Sequence, residues 1–134
     1  MSNGARILLI VTGAVIFSSW GFRLSVLFRH WGDDPFALIH LASLLVSVTI
    51  GAFLFRVGLR GDGATRRDYI GVMASALFTT LFWGYRWVGL IGQPSADTRE
   101  RAHLHLSSLF LILGALLFAI GWRGRARTPA RARP

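Results

Sequence analysis

Residues 51–61 read GAFLFRVGLRG and residues 114–124 read GALLFAIGWRG, one frame, GAxLFxxGxRG, met twice at a spacing of 63. Extended at that spacing without a gap, residues 20–61 lie over 83–124 with 14 identities in 42 positions. Among them are Trp20/Trp83, Gly21/Gly84, Arg23/Arg86, Asp34/Asp97 and His40/His103. Shared apolar composition would match leucines, but not a tryptophan, an arginine, an aspartate and a histidine in order. The chain reads as two tandem copies of one unit, spanning 6–61 and 69–124.

Each copy contains two apolar runs. Of the 134 residues 53% are apolar, the mean hydropathy is +0.51, and the runs cover 6–28, 35–56, 69–92 and 102–122. A hydrocarbon layer of about 30 Å is crossed by about 20 helical residues. Inside it only a helix satisfies every backbone N–H and C=O within one segment, and the alternation of a strand is absent. The expected fold is an all-α integral membrane protein, a four-transmembrane-helix up-and-down bundle made of two tandem helical hairpins. Residues 125–134 are expected to form a disordered basic tail. The glycine and alanine of the repeated frame let helices approach closely in lipid. Its terminal RG places a cation at the membrane edge and a helix stop after it.

The net charge of +9 invites a nucleic-acid reading, but the arginines cluster at helix ends and not along one face. Arg56, Arg60, Arg66 and Arg67 crowd the middle connection, and Arg123, Arg125, Arg127, Arg131 and Arg133 follow the last run. The outer two connections balance Arg29 with Asp33 and Asp34, and Arg99 and Arg101 with Asp97 and Glu100. The asymmetry predicts both termini and the middle connection on the cytoplasmic side of a bacterial-type inner (plasma) membrane. The first run continues past Trp20 without an A-x-A cleavage site, so it reads as a retained helix and not a leader. With no cysteine in the chain, disulfides and thiolate metal sites are excluded.

Two hairpins that start on the same side are parallel repeats, so equivalent residues share a depth. The repeat therefore predicts one layer near the outer boundary, holding Arg23, Arg86, His40 and one of His103 and His105. HLASL at 40–44 matches HLSSL at 105–109 better than the gapless pairing does, and two residues turn a helical side chain by about 200°. No Asp or Glu lies within the four runs to neutralise the arginines, so an anionic ligand is expected in that layer. Haem b, gripped by two histidines with arginines on its propionates, is one candidate; a quinone or a lipid headgroup is another. Simple snorkelling to the interface beside Trp31, Tyr85 and Trp87 is the bland reading. A divalent metal on His40, His103 and His105 with loop carboxylates is weaker, and Asp33-Asp34-Pro35 reads as the cap and first turn of the second helix.

No nucleophile triad, phosphate-binding loop or dinucleotide fingerprint occurs, and GDG at 61–63 reads as a turn. The expected role is a small non-enzymatic membrane subunit that binds an anionic cofactor or lipid, within an electron-transfer complex where that cofactor is haem; the expected partners are lipids and other membrane subunits or further copies of itself, and no nucleic acid. The alternatives are a purely structural accessory subunit and a minimal oligomeric transporter.

Overall fold

The computed structural model describes residues 1–33, 35–91 and 98–127. Four helices carry the chain: α1 (Asn3–Arg29), α2 (Ala37–Arg60), α3 (Arg66–Ile91) and α4 (Thr98–Arg127). Short turns at Trp31–Asp33 and Gly61–Gly63 complete the regular structure of the described residues. Two compact units, Met1–Ala64 and Thr65–Pro134, each hold one hairpin.

Among the described residues three segments are long and apolar enough to cross a membrane: Asn3–Arg29, Ala37–Gly63 and Leu104–Arg127. Four were expected. α3, with 26 residues, has the length, but Ser75, Thr79, Thr80, Tyr85 and Arg86 dilute its apolar content. Ser75 and Thr79 are buried, and the Thr79 hydroxyl donates to the Ser75 carbonyl at 2.8 Å. Two of its hydroxyl side chains are thus buried inside the hairpin.

The helix ends follow local chemistry. Ser2 caps α1, its Oγ accepting from the Ala5 amide at 3.3 Å. Thr65 and Asp68 form a reciprocal cap on α3: the Thr65 amide donates to Asp68 Oδ2 at 2.8 Å and the Asp68 amide to Thr65 Oγ1 at 3.3 Å. α2 ends at Arg60 because Gly61 takes φ +54°, the left-handed region open to glycine.

Three expectations need correction. α2 starts at Ala37, after an N-cap Phe36 that makes no side-chain cap bond. The DDP reading therefore fails as a helix start, since Trp31–Asp33 winds into its own short turn and Pro35 and Phe36 turn before the helix; Asp34 lies outside the described residues. Gly124 does not stop α4 as Gly61 stops α2. The sequence after it, Arg-Ala-Arg, continues the helix to Arg127, so the first part of the expected tail is helical and the rest lies outside the described residues.

The hairpins are closed by glycine. A Cβ at Gly51 would stand 2.5 Å from the Phe17 amide nitrogen and 3.0 Å from the Gly13 carbonyl oxygen, and one at Gly58 2.8 Å from the Ile10 nitrogen. Gly61 faces Arg6. In the second hairpin Gly114 faces Thr80 and Ala76, Gly121 faces Met73 and Tyr69, and Gly124 lies against the Tyr69 ring. Partner for partner, Phe17/Thr80, Gly13/Ala76, Ile10/Met73 and Arg6/Tyr69 stand 63 apart, as the glycines do. Burial follows the same spacing: Leu9 and Val72, Thr12 and Ser75, Ile16 and Thr79, Leu54 and Leu117 are all buried. Both hairpins therefore pack in one register, with backbones near enough for many small dispersion contacts to add up.

Candidate functional site

The Trp-Gly-aromatic-Arg strings lie toward the C-terminal ends of α1 and α3. Residues three apart on a helix share a face, and here that face joins the arginine to its tryptophan. The Arg23 guanidinium carbon stands 4.5 Å from the centroid of the Trp20 ring, and that of Arg86 5.6 Å from Trp83. Both arginines are exposed. At these distances the indole attracts the cation, and a guanidinium carries five N–H donors that an anion can use.

The two tryptophans differ in support. Trp83 is buried, with its ring stacked on Phe110 at 4.5 Å and 3° and edge-on to Phe82 at 5.6 Å. Trp20 is half-buried, and the position equivalent to Phe110 is Ser47. Next to the second clip, Trp87 Nε1 donates to Ser108 Oγ at 3.1 Å, which ties α3 to α4 at that level. The glycine inside the motif is open: a Cβ at Gly21 would meet nothing within 4 Å, and one at Gly84 would touch only Leu111 at an ordinary 3.6 Å.

An ion pair joins the Met1 ammonium to Asp62 at 2.6 Å. No described carboxylate pairs with Arg23 or Arg86. The side chains of Asp33, Asp34, Asp97 and Glu100 lie outside the described residues.

The histidines are placed differently. His40 and His105 are exposed, as is His30 beyond α1. The His40 ring stands edge-on to Phe36 at 6.5 Å. The side chain of His103 lies outside the described residues. The glycine spacing of 63, carried without a gap, pairs His40 with His103. Gly51 faces Phe17 and Gly58 faces Ile10, so by the same register His40 stands opposite Phe28 and Arg23 opposite Leu45. The level of His40 is then about 7 Å nearer the hairpin turn than that of Arg23. Arg23, Arg86, His40 and His105 all lie toward the turn ends of their hairpins, and what the structure joins to each arginine is a tryptophan. Among the described residues no group of three or more His, Cys, Asp or Glu could hold a metal ion.

The sequence reading missed the tryptophan partner, although the i, i+3 spacing of W-x-x-R carries it. The same signal marks a third clip: Trp122 and Arg125, with the guanidinium carbon 5.3 Å from the ring centroid.

No protein-family model, curated protein or solved structure matches the chain. Its role has to be read from its own residues.

Proposed function

We propose that the chain is a small non-enzymatic subunit of a bacterial-type inner membrane that binds an anionic amphiphile near the outer boundary through Arg23 and Arg86. It is two tandem copies of one hairpin, crosses the bilayer four times and keeps both termini on the cytoplasmic side. The observation that carries the binding role is the Trp–Arg clip, built at the same position of both hairpins with the arginine exposed.

Membrane insertion is supported by three spans of sufficient length and hydropathy. It is supported too by large apolar side chains left exposed along them, such as Ile7, Val11 and Val15 on α1. α3 joins them as the fourth span because two of its hydroxyl side chains are buried within the hairpin. Duplication is supported by the glycine contacts, which repeat at the sequence spacing.

An arginine on a spanning helix costs about 2.5–3.5 kcal/mol at the centre of the bilayer and less near its edge. A stacked indole returns about 0.5–2 kcal/mol. An anion at the guanidinium offsets the remainder, and a charge-assisted pair of N–H groups suits a carboxylate or phosphate. A lipid headgroup or an acidic amphiphile meets these requirements with the arginines alone. Haem b would in addition use His40 with His103 or His105 as ligands.

The test is the purified protein in mild detergent. The Arg23→Gln/Arg86→Gln variant is expected to lose a co-purifying amphiphile detectable by mass spectrometry while its helical circular dichroism is unchanged. Equal retention by the variant and the parent chain defeats the proposal. Sharp visible bands that shift on reduction assign the amphiphile as haem; a featureless spectrum leaves the headgroup or quinone version.

A further inference from the structure

The second hairpin carries another cationic surface at the end away from Arg86. The Tyr69 ring lies against Gly124, which sets the first turn of α3 beside the last turns of α4. Arg66 and Arg67 on α3, and Arg123, Arg125 and Arg127 on α4, gather there. The one carboxylate in these turns, Asp68, is engaged with Thr65, accepting from its amide at 2.8 Å and its hydroxyl at 2.9 Å.

This patch is not a repeat feature. The equivalents of Trp122 and Arg125 in the first hairpin are Leu59 and Asp62, and Asp62 holds the Met1 ammonium. Only the second hairpin builds a clip at this end. Phe118, Trp122 and Arg125 run along one face of α4: the two rings stack at 6.4 Å and 15°, and the guanidinium stands over the indole. Trp122 is exposed to 55%. The face passes from apolar ring to amphipathic ring to cation within two turns, at the end of a candidate span, Leu104–Arg127.

We infer that this end of the α3–α4 hairpin binds the phosphate of an anionic phospholipid. Trp122 and Phe118 would lie along the acyl chain and Arg125 at the headgroup, with Arg66 and Arg67 of the facing turn at the same end; Arg123, two residues from Arg125, is turned about 200° away. A phospholipid matches the whole face, because its apolar chain and phosphate are joined at the distance over which the face changes character. A nucleic acid or an acidic protein would satisfy the arginines and leave Phe118 uncovered. The inference rests on the membrane reading above, and not on the outer clips.

The full-length protein is reconstituted into phosphatidylcholine vesicles with and without phosphatidylglycerol, recovered by flotation, and its retained lipids are counted by native mass spectrometry. The parent chain is expected to enrich phosphatidylglycerol over phosphatidylcholine. An arginine removed from this face should lower that ratio about fivefold, so Arg125→Gln loses most of it and Trp122→Ala lowers it. Arg23→Gln, at the other end, should not reproduce these losses in full. A chain that floats in both vesicles with its ratio unmoved by Arg125→Gln overturns this inference alone. A chain that fails to float with phosphatidylcholine overturns the membrane reading and this inference with it. Full displacement of phosphatidylglycerol by inorganic phosphate or by a single-stranded oligonucleotide at equal concentration also overturns the lipid assignment.

Discussion

Gly51 and Gly21 are both helical glycines, and they answer to different pressures. A side chain at Gly51 has backbone 2.5 Å away on α1, so Gly51→Ala must push the helices apart. Overpacking of this kind costs about 1–3 kcal/mol, and denaturant unfolding of the protein in detergent should show a loss of that size. At Gly21 nothing stands within 4 Å, and replacing a helical glycine by alanine is worth up to about 1 kcal/mol. Gly21→Ala is expected to leave the hairpin as stable or more stable and, because its Cβ points about 200° away from Arg23, to leave retention of the amphiphile unchanged. The tryptophans of the motif should part company as well. Trp83→Ala removes a buried ring stacked on Phe110 and should cost about 3–5 kcal/mol, while Trp20→Ala, at a half-buried ring with Ser47 in place of Phe110, should cost clearly less in the same assay. The paired arginines were legible in the sequence because they break apolar runs twice at one spacing. Their tryptophans were not, because an arginine without a carboxylate suggests a missing anion before it suggests a ring three residues back.

α3 is the element in which pattern and packing disagree. Its sequence reads as the second copy of α1, and its burial pattern agrees, but its hydropathy falls below that of the other three helices. Where α1 has Ile16 and Phe17, α3 has Thr79 and Thr80, one buried and the other lying against Gly114. These hydroxyls suit a helix face turned to a partner and handicap a helix alone in lipid. α3 by itself is therefore expected to insert poorly in a glycosylation-reporter assay, and to insert together with α4. Thr79→Ile should favour insertion of the lone helix, isoleucine itself contributing about 0.3–0.6 kcal/mol; a lone α3 that inserts as efficiently as α1 would refute the argument. Hydropathy alone reveals the other three spans. The helix ends were harder to read, because one RG frame serves two purposes: Gly61 is followed by Asp-Gly and turns, whereas Gly124 is followed by Arg-Ala-Arg and makes room for Tyr69 within a continuing helix.

At the scale of the whole chain the decisive quantity is which side each connection faces, since parallel hairpins place Arg23 and Arg86 at one depth only if both start on the same side. The connection between the hairpins carries Arg56, Arg60, Arg66 and Arg67 against Asp62 and Asp68. The first hairpin turn sets Arg29 against Asp33 and Asp34. That bias predicts Gly63 inside and Gly32 outside. The chain contains no cysteine, and a Cβ at either glycine would meet nothing within 4 Å, so single cysteines there report accessibility without disturbing a packed contact. With a membrane-impermeant maleimide on intact cells, Gly32→Cys should be labelled and Gly63→Cys only after the cells are opened. The reverse pattern would invert the topology, moving the Trp20/Arg23 and Trp83/Arg86 clips to the cytoplasmic leaflet. Labelling of both sites on intact cells would mean that the charge bias is too weak to choose one orientation, and the two arginines of separate molecules would then serve opposite leaflets.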